Sequence, residues 1–154
     1  MPVCPVTVVL PCLDEATSLP GVLAALPTGY RALVVDNNST DGTAEVARRH
    51  GAEVVAESRP GYGAAVHAGV VAATTPIVAV LDADGSLDPG ELPALVDDVE
   101  GGADMAIGRR RAQPGLKWPW HARLGTAAVC WRLRTRYGLQ VHDIAPMRVA
   151  RRDA

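Results

Sequence analysis

The sequence contains no phenylalanine, and aromatic side chains make up only 4% of its 154 residues. It has no run of eighteen apolar residues, so none of its segments is typical of a transmembrane helix. Its first residues, MPVCPVTVVLPC, lack the basic start and small-residue cleavage site of a signal peptide. The hydrophobic share of 48% is nevertheless high enough for a packed core, which excludes a disordered chain. We therefore expect one cytoplasmic domain.

Cysteine is also scarce, with only Cys4, Cys12 and Cys130 in the chain. An odd number without C-x-x-C spacing does not indicate a disulfide framework or a zinc site. Because Cys12 and Cys130 lie in apolar segments, we predict reduced, packed thiols. The four histidines show no metal-ligand spacing either.

The net charge of −2 conceals a strong asymmetry along the chain. Residues 1–108 carry 4 arginines against 15 acidic residues, whereas residues 109–152 carry ten arginines and one lysine against a single acid. A basic stretch of this kind binds phosphate groups, nucleic acid or a membrane surface, or it forms a solvated face that balances the acidic part. The acidic remainder makes the chain a poor polyanion binder, so we expect no nucleic-acid partner.

Short β-branched runs alternate with helix-like segments along the first two thirds of the chain. The predicted strands are 6–10, 32–35, 53–56, 77–81 and 104–107, and the predicted helices begin near residues 18, 43, 62 and 89. This alternation predicts an α/β fold with a doubly wound, mostly parallel sheet.

The amino-acid composition changes after Gly108, where a loop rich in proline, glycine and arginine precedes a predicted helix at 121–136. We expect a single domain over 1–154, with a ligand-binding half at 1–111 and the beginning of a second, incomplete half at 112–154. The final RVARRDA predicts the start of a further helix, so the chain is expected to be truncated there.

Polar side chains follow the predicted strands where ligands bind in open α/β sheets. The clearest case is Asp82-Ala83-Asp84, which follows the fourth strand. Two neighbouring carboxylates repel each other unless a cation lies beside them, and Mg²⁺ or Mn²⁺ binds one or two carboxylates together with substrate phosphates. Aspartates are also common in turns, so the D-x-D motif alone leaves a structural role open. The chain has neither a G-x-G-x-x-G nor a P-loop motif.

Taken together, the segments VTVVLPCLDEATSLPGVL, LVVDNNSTDGTAEVA, RPGYGAAVHAGVVAA, VAVLDADGSLDP and DMAIGRRR resemble glycosyltransferase family 2. Within that family they are most similar to the polyprenyl- or dolichyl-phosphate mannosyl- and glucosyltransferases. The resemblance implies a GT-A fold, a UDP- or GDP-sugar donor, a divalent metal, inversion at the anomeric carbon and a polyprenyl-phosphate acceptor.

The resemblance also assigns roles to individual residues of the donor site. Asp82 and Asp84 would bind the metal, and Asp84 would thereby act in catalysis. Gly61 and Gly63 would allow the backbone to approach the donor, although a helix-entry turn is an equally open reading. The remaining donor-binding residues implied are Pro11, Leu13 and Glu15 for the nucleoside, Val35 and Asn37 for the base, Ala83 as the middle residue of the D-x-D motif, and Arg110 near the diphosphate. Leu13 stands in place of the family's usual aromatic residue, and Asn37 in place of a common aspartate.

The segment that would bind the acceptor resembles the family less closely than the donor-site segments do. Asp143, the only acid between residues 105 and 152, stands in HDIAPMR, where the family has a looser D-x-x-x-G-F-R-like segment. It is either a catalytic base or an ion-pair partner of nearby arginines, and Arg148 is a candidate ligand of the acceptor phosphate. Trp118 and Trp120, beside cationic residues, are either packing residues or contacts to a membrane surface.

Two other function classes remain open from the sequence. One is a Mg²⁺-dependent nucleotidyltransferase, although PCLDEA is not its G-x-G-x-R-like loop. The other is a non-catalytic polyanion-binding module that uses the basic 109–152 segment.

Overall fold

The computed structural model describes residues 6–108, Trp131, residues 135–136 and residues 147–153. Residues 6–107 and 147–153 belong to one compact unit built on a six-stranded sheet. Its strands are β1 (Val6–Cys12), β2 (Arg31–Asp36), β3 (Glu53–Ala56), β4 (Ile77–Val80), β5 (Met105–Ile107) and β6 (Arg148–Arg151). Its α-helices are α1 (Leu19–Ala25), α2 (Thr43–Arg49), α3 (Tyr62–Ala72) and α4 (Leu92–Glu100), and a 3₁₀ turn at Pro89–Glu91 leads into α4.

The strand order in the sheet is β3-β2-β1-β4-β6-β5. β1 pairs in parallel with β2 and β4, and β2 pairs in parallel with β3. β6 lies between β4 and β5 and is antiparallel to both. The sheet is therefore mixed but mostly parallel, and the predicted alternation of strands and helices is confirmed over residues 6–107.

The prediction of a helix beginning at RVARRDA is wrong, because Arg148–Arg151 form β6. A helix of so few residues gains little from its own hydrogen bonds. The same residues as a strand complete the hydrogen-bond ladders of β4 on one side and β5 on the other. The sheet therefore decides the conformation of this segment. The predicted border at residue 111 and the predicted helix at 121–136 lie outside the described residues, apart from Trp131 and residues 135–136.

The two faces of the sheet are covered unequally. α1, α2 and α4 pack their apolar residues on one face, and α3 covers the other. α3 approaches closely because Gly69 has no side chain, since a Cβ built there would lie 2.2 Å from Cγ1 of Val9 and 2.9 Å from Cγ2 of Val35. Cys12 at the end of β1 is buried, as expected of a packed thiol, and this burial raises its pKa to about 12. In the part of the chain described here, no helix is both long and apolar enough to cross a membrane.

Candidate active site at the carboxyl edge of the sheet

The parallel strands β1, β2 and β4 all end at one edge of the sheet, which we call the carboxyl edge. Cys12 lies opposite Asp36 in the β1–β2 register, and β4 ends at Val80. Because β6 runs the other way, its first residue, Arg148, lies opposite Val80 at this same edge. Loops that follow three different strands therefore meet near the start of a fourth, which is the place where open α/β sheets bind ligands.

Side-chain hydrogen bonds join the loop after β1 to the loop after β2. The backbone N–H of Asp14 donates to Oγ of Ser39 at 3.0 Å, and the N–H of Thr40 donates to Oδ1 of Asp14 at 2.7 Å. Asp14 and Asn38 have positive φ values of 58° and 69°. Non-glycine residues rarely adopt that conformation, and they persist in it where surrounding contacts hold them.

Asp41 also joins the loop after β1 to the loop after β2. Its carboxylate accepts the backbone N–H of Ala16 at 2.9 Å and that of Thr43 at 3.0 Å, and it also accepts the Thr43 hydroxyl. The hydrogen bond from the Thr43 hydroxyl, followed by that from the Ala16 backbone, lowers the pKa of Asp41. Hydrogen bonds of this kind favour the charged carboxylate. The sequence alone gave no sign of this network, because each of its residues is also an ordinary turn residue.

The residues predicted to hold the nucleoside follow β1. Leu13 is 59% exposed on the rim that the two loops form, so its side chain is accessible to a ligand. Glu15 follows two residues later, and its carboxylate accepts a hydrogen bond from the Ser18 hydroxyl. Pro11 lies within β1 opposite Val35. The side chain of Val35 is 0% exposed and packs in the core. A contact of Val35 with the base remains a prediction, and it would have to use the backbone.

Asn37 is 5% exposed and acts on the neighbouring loop. Its side-chain amide donates to the carbonyl oxygens of Glu57 and Arg59, each at 2.7 Å, and its Oδ1 accepts the backbone N–H of Gly61 at 2.8 Å. Both amide hydrogens are thus used inside the protein. Contact with a base remains a prediction, and it would have to use the remaining acceptor capacity of Oδ1.

The loop held by Asn37 ends at the two glycines singled out from the sequence. Gly61 has a φ of 120°, in the region that favours glycine, so the turn into α3 requires it. Gly63 lies in the first turn of α3, and a Cβ built there would meet no atom within 4 Å. The backbone conformation at position 61 thus accounts for a glycine there, while a donor contact at Gly63 remains a prediction.

Asp82, Ala83 and Asp84 lie beyond the last residue of β4. The predicted strand 77–81 is one residue too long, so the alternation of side chains along a strand does not set the direction of the two carboxylates. Asp82 is partly buried, Ala83 is buried, and Asp84 is exposed. Asp84 accepts the backbone N–H of Ser86 at 2.9 Å, and Gly85 between them has a φ of 77°. A tight turn thus presents the D-x-D motif at the carboxyl edge.

Tyr62, which the sequence analysis did not single out, makes a direct contact with this motif. Its hydroxyl donates to Oδ1 of Asp82 at 2.9 Å. Partial burial of the half-exposed phenol, then the hydrogen bond and the negative charge of Asp82, raise the pKa of Tyr62 to about 12, while the positive charge of Arg148 opposes that rise. The phenol is therefore protonated at neutral pH and able to donate. The one available signal in the sequence was its position between Gly61 and Gly63.

Arg148, the predicted acceptor ligand, is partly exposed at the start of β6. Its pairing with Val80 places it at the carboxyl edge, where the D-x-D motif follows β4. Four other residues of the sequence predictions, Arg110, Trp118, Trp120 and Asp143, lie outside the described residues, as do Cys4 and Cys130.

The side chains at this edge fit a hard divalent cation that is shared with a ligand. Within the described residues, no three histidine, cysteine or acidic side chains are grouped closely enough to hold a metal ion. Two carboxylates, Asp82 and Asp84, are nevertheless the set that Mg²⁺ or Mn²⁺ uses when substrate phosphates complete its coordination. The donor set therefore suits a metal diphosphate better than a free metal ion.

Comparisons with known proteins identify the family of the chain. The profile of the family described as Glycosyl transferase family 2 matches residues 7–153. A protein of Mycobacterium tuberculosis strain H37Rv, named as an uncharacterized glycosyltransferase, is 72% identical over 149 residues, which cover 97% of this chain and 68% of that protein. The polyprenol monophosphomannose synthase of Mycolicibacterium smegmatis is 34% identical over 165 residues, which cover 95% of this chain and 61% of that protein.

A solved structure gives the corresponding result for the fold. The glucosyl-3-phosphoglycerate synthase of M. tuberculosis, in complex with Mn²⁺, uridine diphosphate and glucosyl-3-phosphoglycerate, matches with a TM-score of 0.76 at 23% identity. The match covers 96% of this chain and 57% of that one, so the chain spans little more than half of the solved enzyme. At that identity the likeness shows the fold, and it confirms the predicted GT-A architecture. The chain therefore belongs to glycosyltransferase family 2 and is a glycosyltransferase with a GT-A fold.

Proposed function

We propose that this chain is an inverting, metal-dependent hexosyltransferase that moves a hexose from a UDP- or GDP-sugar to a polyprenyl phosphate. One observation carries the proposal: the D-x-D turn after β4 and Arg148 of β6 lie at the same edge, although more than 60 residues separate them in the sequence. Carboxylates and a guanidinium at one edge suit a ligand that carries both a metal-bound diphosphate and a second phosphate.

The donor would lie along the loops after β1, β2 and β4. Leu13 offers an exposed apolar surface to the base, and Asp14 and Asp41 hold the backbone that carries Leu13 and Glu15. Asp82 and Asp84 lie at the diphosphate end of this rim and would hold Mg²⁺ or Mn²⁺. The bound cation would neutralise charge that develops on the departing nucleoside diphosphate. The Mn²⁺ and uridine diphosphate of the solved relative support this part of the proposal.

The acceptor would approach from the side of Arg148. A phosphate oxygen of the acceptor attacks C1 of the sugar from the face opposite the departing diphosphate, which inverts the anomeric centre. Arg148 would orient that phosphate, because a guanidinium binds phosphate through paired hydrogen bonds. A lipid phosphate is already ionised at neutral pH and needs no base, whereas a hydroxyl acceptor would need Asp143. The name of the M. smegmatis relative supports the lipid phosphate.

The basic segment supports an enzyme that works at the cytoplasmic face of a membrane. Residues 109–152 carry ten arginines and one lysine, and Trp118 and Trp120 stand among them. Cations and indoles together favour contact with anionic headgroups, where a polyprenyl phosphate would be found. Vesicle binding at low and high salt tests this part separately, and binding that ignores both salt and headgroup charge would contradict it.

The proposal is tested by measuring the release of nucleoside diphosphate. The protein is incubated with UDP-glucose or GDP-mannose, Mn²⁺ and a short polyprenyl phosphate, and the anomeric configuration of the product is read by NMR. We expect release that depends on Mn²⁺ and on the acceptor phosphate, with inversion of configuration. The unphosphorylated polyprenol is the matched control and should give no product. Retention of configuration, or turnover that survives removal of divalent cations, would contradict the mechanism.

A further inference from the structure

Tyr62 brings a phenol hydroxyl to the D-x-D motif from a different loop. We propose that Tyr62 is a positioning residue that holds the Asp82 carboxylate in the orientation needed to bind the metal diphosphate of the donor. The proposal rests on the proposed function of Asp82, but it assigns a role to a residue outside the D-x-D motif.

The geometry of the contact is well suited to that task. The Tyr62 hydroxyl donates to Oδ1 of Asp82 at 2.9 Å, across 20 positions of sequence. Asp82 lies in the turn beyond the end of β4, and the Tyr62 hydroxyl reaches it from the first residue of α3. A hydrogen bond to one carboxylate oxygen restricts rotation of the whole group. Partners of metal-binding carboxylates commonly act in this way.

Tyr62 is itself held in place by the loop that precedes it. Gly61, its neighbour, donates its backbone N–H to the buried side chain of Asn37, which also binds the carbonyl oxygens of Glu57 and Arg59. α3 begins at Tyr62 directly after this fixed loop. A continuous set of contacts therefore leads from Asn37 through Gly61 and Tyr62 to Asp82. An arrangement built in this way limits the positions that the phenol can take.

Because Tyr62 is partly exposed, we expect its hydroxyl to contribute more to the orientation of Asp82 than to the packing of the core. The residue is 46% exposed, so loss of one oxygen removes little buried packing. Replacement of Tyr62 by phenylalanine keeps the ring and deletes only the donor. Removing a partner that orients a metal ligand typically costs about 10- to 100-fold in metal affinity.

The test measures Mn²⁺ binding by titration calorimetry in the presence of UDP, and again with GDP, for four proteins. These are the unaltered chain, Tyr62→Phe, Asp82→Ala and the control Tyr30→Phe, which removes a phenol hydroxyl next to the start of β2 at the opposite edge. We expect Tyr62→Phe to weaken Mn²⁺ binding about tenfold or more, Asp82→Ala to abolish it and Tyr30→Phe to leave it unchanged. Thermal unfolding of Tyr62→Phe should match that of the unaltered chain.

The outcomes separate this proposal from the proposed function. Normal Mn²⁺ binding by Tyr62→Phe, together with loss of binding by Asp82→Ala, would overturn the positioning role and leave the metal site intact. Absence of Mn²⁺ binding by the unaltered chain with either nucleotide would overturn both. Equal weakening by Tyr62→Phe and Tyr30→Phe would show a general effect of losing a hydroxyl and would also overturn the positioning role.

Discussion

The two edges of the sheet carry polar side chains of similar kinds but bond them to different partners. At the amino edge, Arg31 and Glu53 form an ion pair between β2 and β3, with side chains 47% and 60% exposed. At the carboxyl edge, Asp14, Asp41 and Asn37 bond mainly to backbone groups of neighbouring loops. An exposed ion pair contributes little to stability, whereas bonds to loop backbone fix the shape of a surface. The carboxyl edge is therefore the pre-organised one.

The largest difference between the two edges is expected when a carboxylate of the D-x-D motif is removed from the carboxyl edge. We expect Asp82→Ala to lower turnover at least about a hundredfold, because charge on the leaving diphosphate is no longer stabilised. Release of nucleoside diphosphate measures this effect. Asp98→Ala, which removes an exposed carboxylate of α4, is the matched control and should retain full turnover. Equal losses in the two variants would mean that general negative charge matters and the motif does not.

A second prediction concerns the stability of the loop at the carboxyl edge. Asn37→Ala removes the partner of the Gly61 N–H and of the Arg59 carbonyl oxygen, and the shorter of two amide donors to the Glu57 carbonyl oxygen, so we expect a loss of about 1–3 kcal/mol in the free energy of unfolding. Denaturant unfolding measures it. Asn38→Gly is the comparison variant, because its exposed amide donates to the same loop over the longer distances of 3.2 Å to Ser58 and 3.4 Å to Glu57, and glycine keeps the positive φ at that position. A loss in Asn38→Gly as large as that in Asn37→Ala would show that the buried amide has no special role.

A third prediction concerns the pH dependence of the free energy of unfolding, to which Asp41 at the carboxyl edge contributes. The pKa of Asp41 is lowered in the folded protein, so its carboxylate stabilises the fold above the pKa of the unfolded chain. That stabilisation is lost as the pH falls below about 4 towards the lower pKa of the folded state. We expect Asp41→Asn to show a smaller drop in unfolding free energy between pH 7 and pH 3.

Variants at the Asp41 partner identify the cause of that pH dependence. Thr43→Ser keeps the hydroxyl that lowers the Asp41 pKa most and should behave like the unaltered chain, whereas Thr43→Val should fall between the unaltered chain and Asp41→Asn, because the backbone hydrogen bonds to Asp41 remain. An unchanged acid response in both Asp41→Asn and Thr43→Val would disprove the assignment.

The smallest change in the free energy of unfolding is expected for a substitution at the amino edge. Arg31→Ala breaks the ion pair with Glu53 and should change the free energy of unfolding by about 0.2–1 kcal/mol, since both side chains are solvated. Turnover per folded molecule should not change. A larger loss of stability in Arg31→Ala than in Asn37→Ala would reverse the comparison between the edges.

The parts of the fold that were predicted correctly are those with strong local patterns. The β-branched runs at β1 and β4 and the Asp-Ala-Asp turn that follows β4 are visible in the sequence, because burial and turn formation select residue types locally. β6 was missed because its four residues become a strand only between β4 and β5. The Tyr62 contact was missed because no spacing in the sequence pairs it with Asp82.

The sequence by itself determined the α/β alternation, the family and the candidate chemistry of the D-x-D motif, since each depends on residues that are neighbours along the chain. Only the tertiary structure decided which distant groups meet. In the folded chain Arg148 lies opposite Val80, the Tyr62 hydroxyl donates to Asp82, and the Asn37 side chain bonds to the backbone of the loop at 57–61. These pairings depend on strand order and register, which long-range packing sets and local propensity does not.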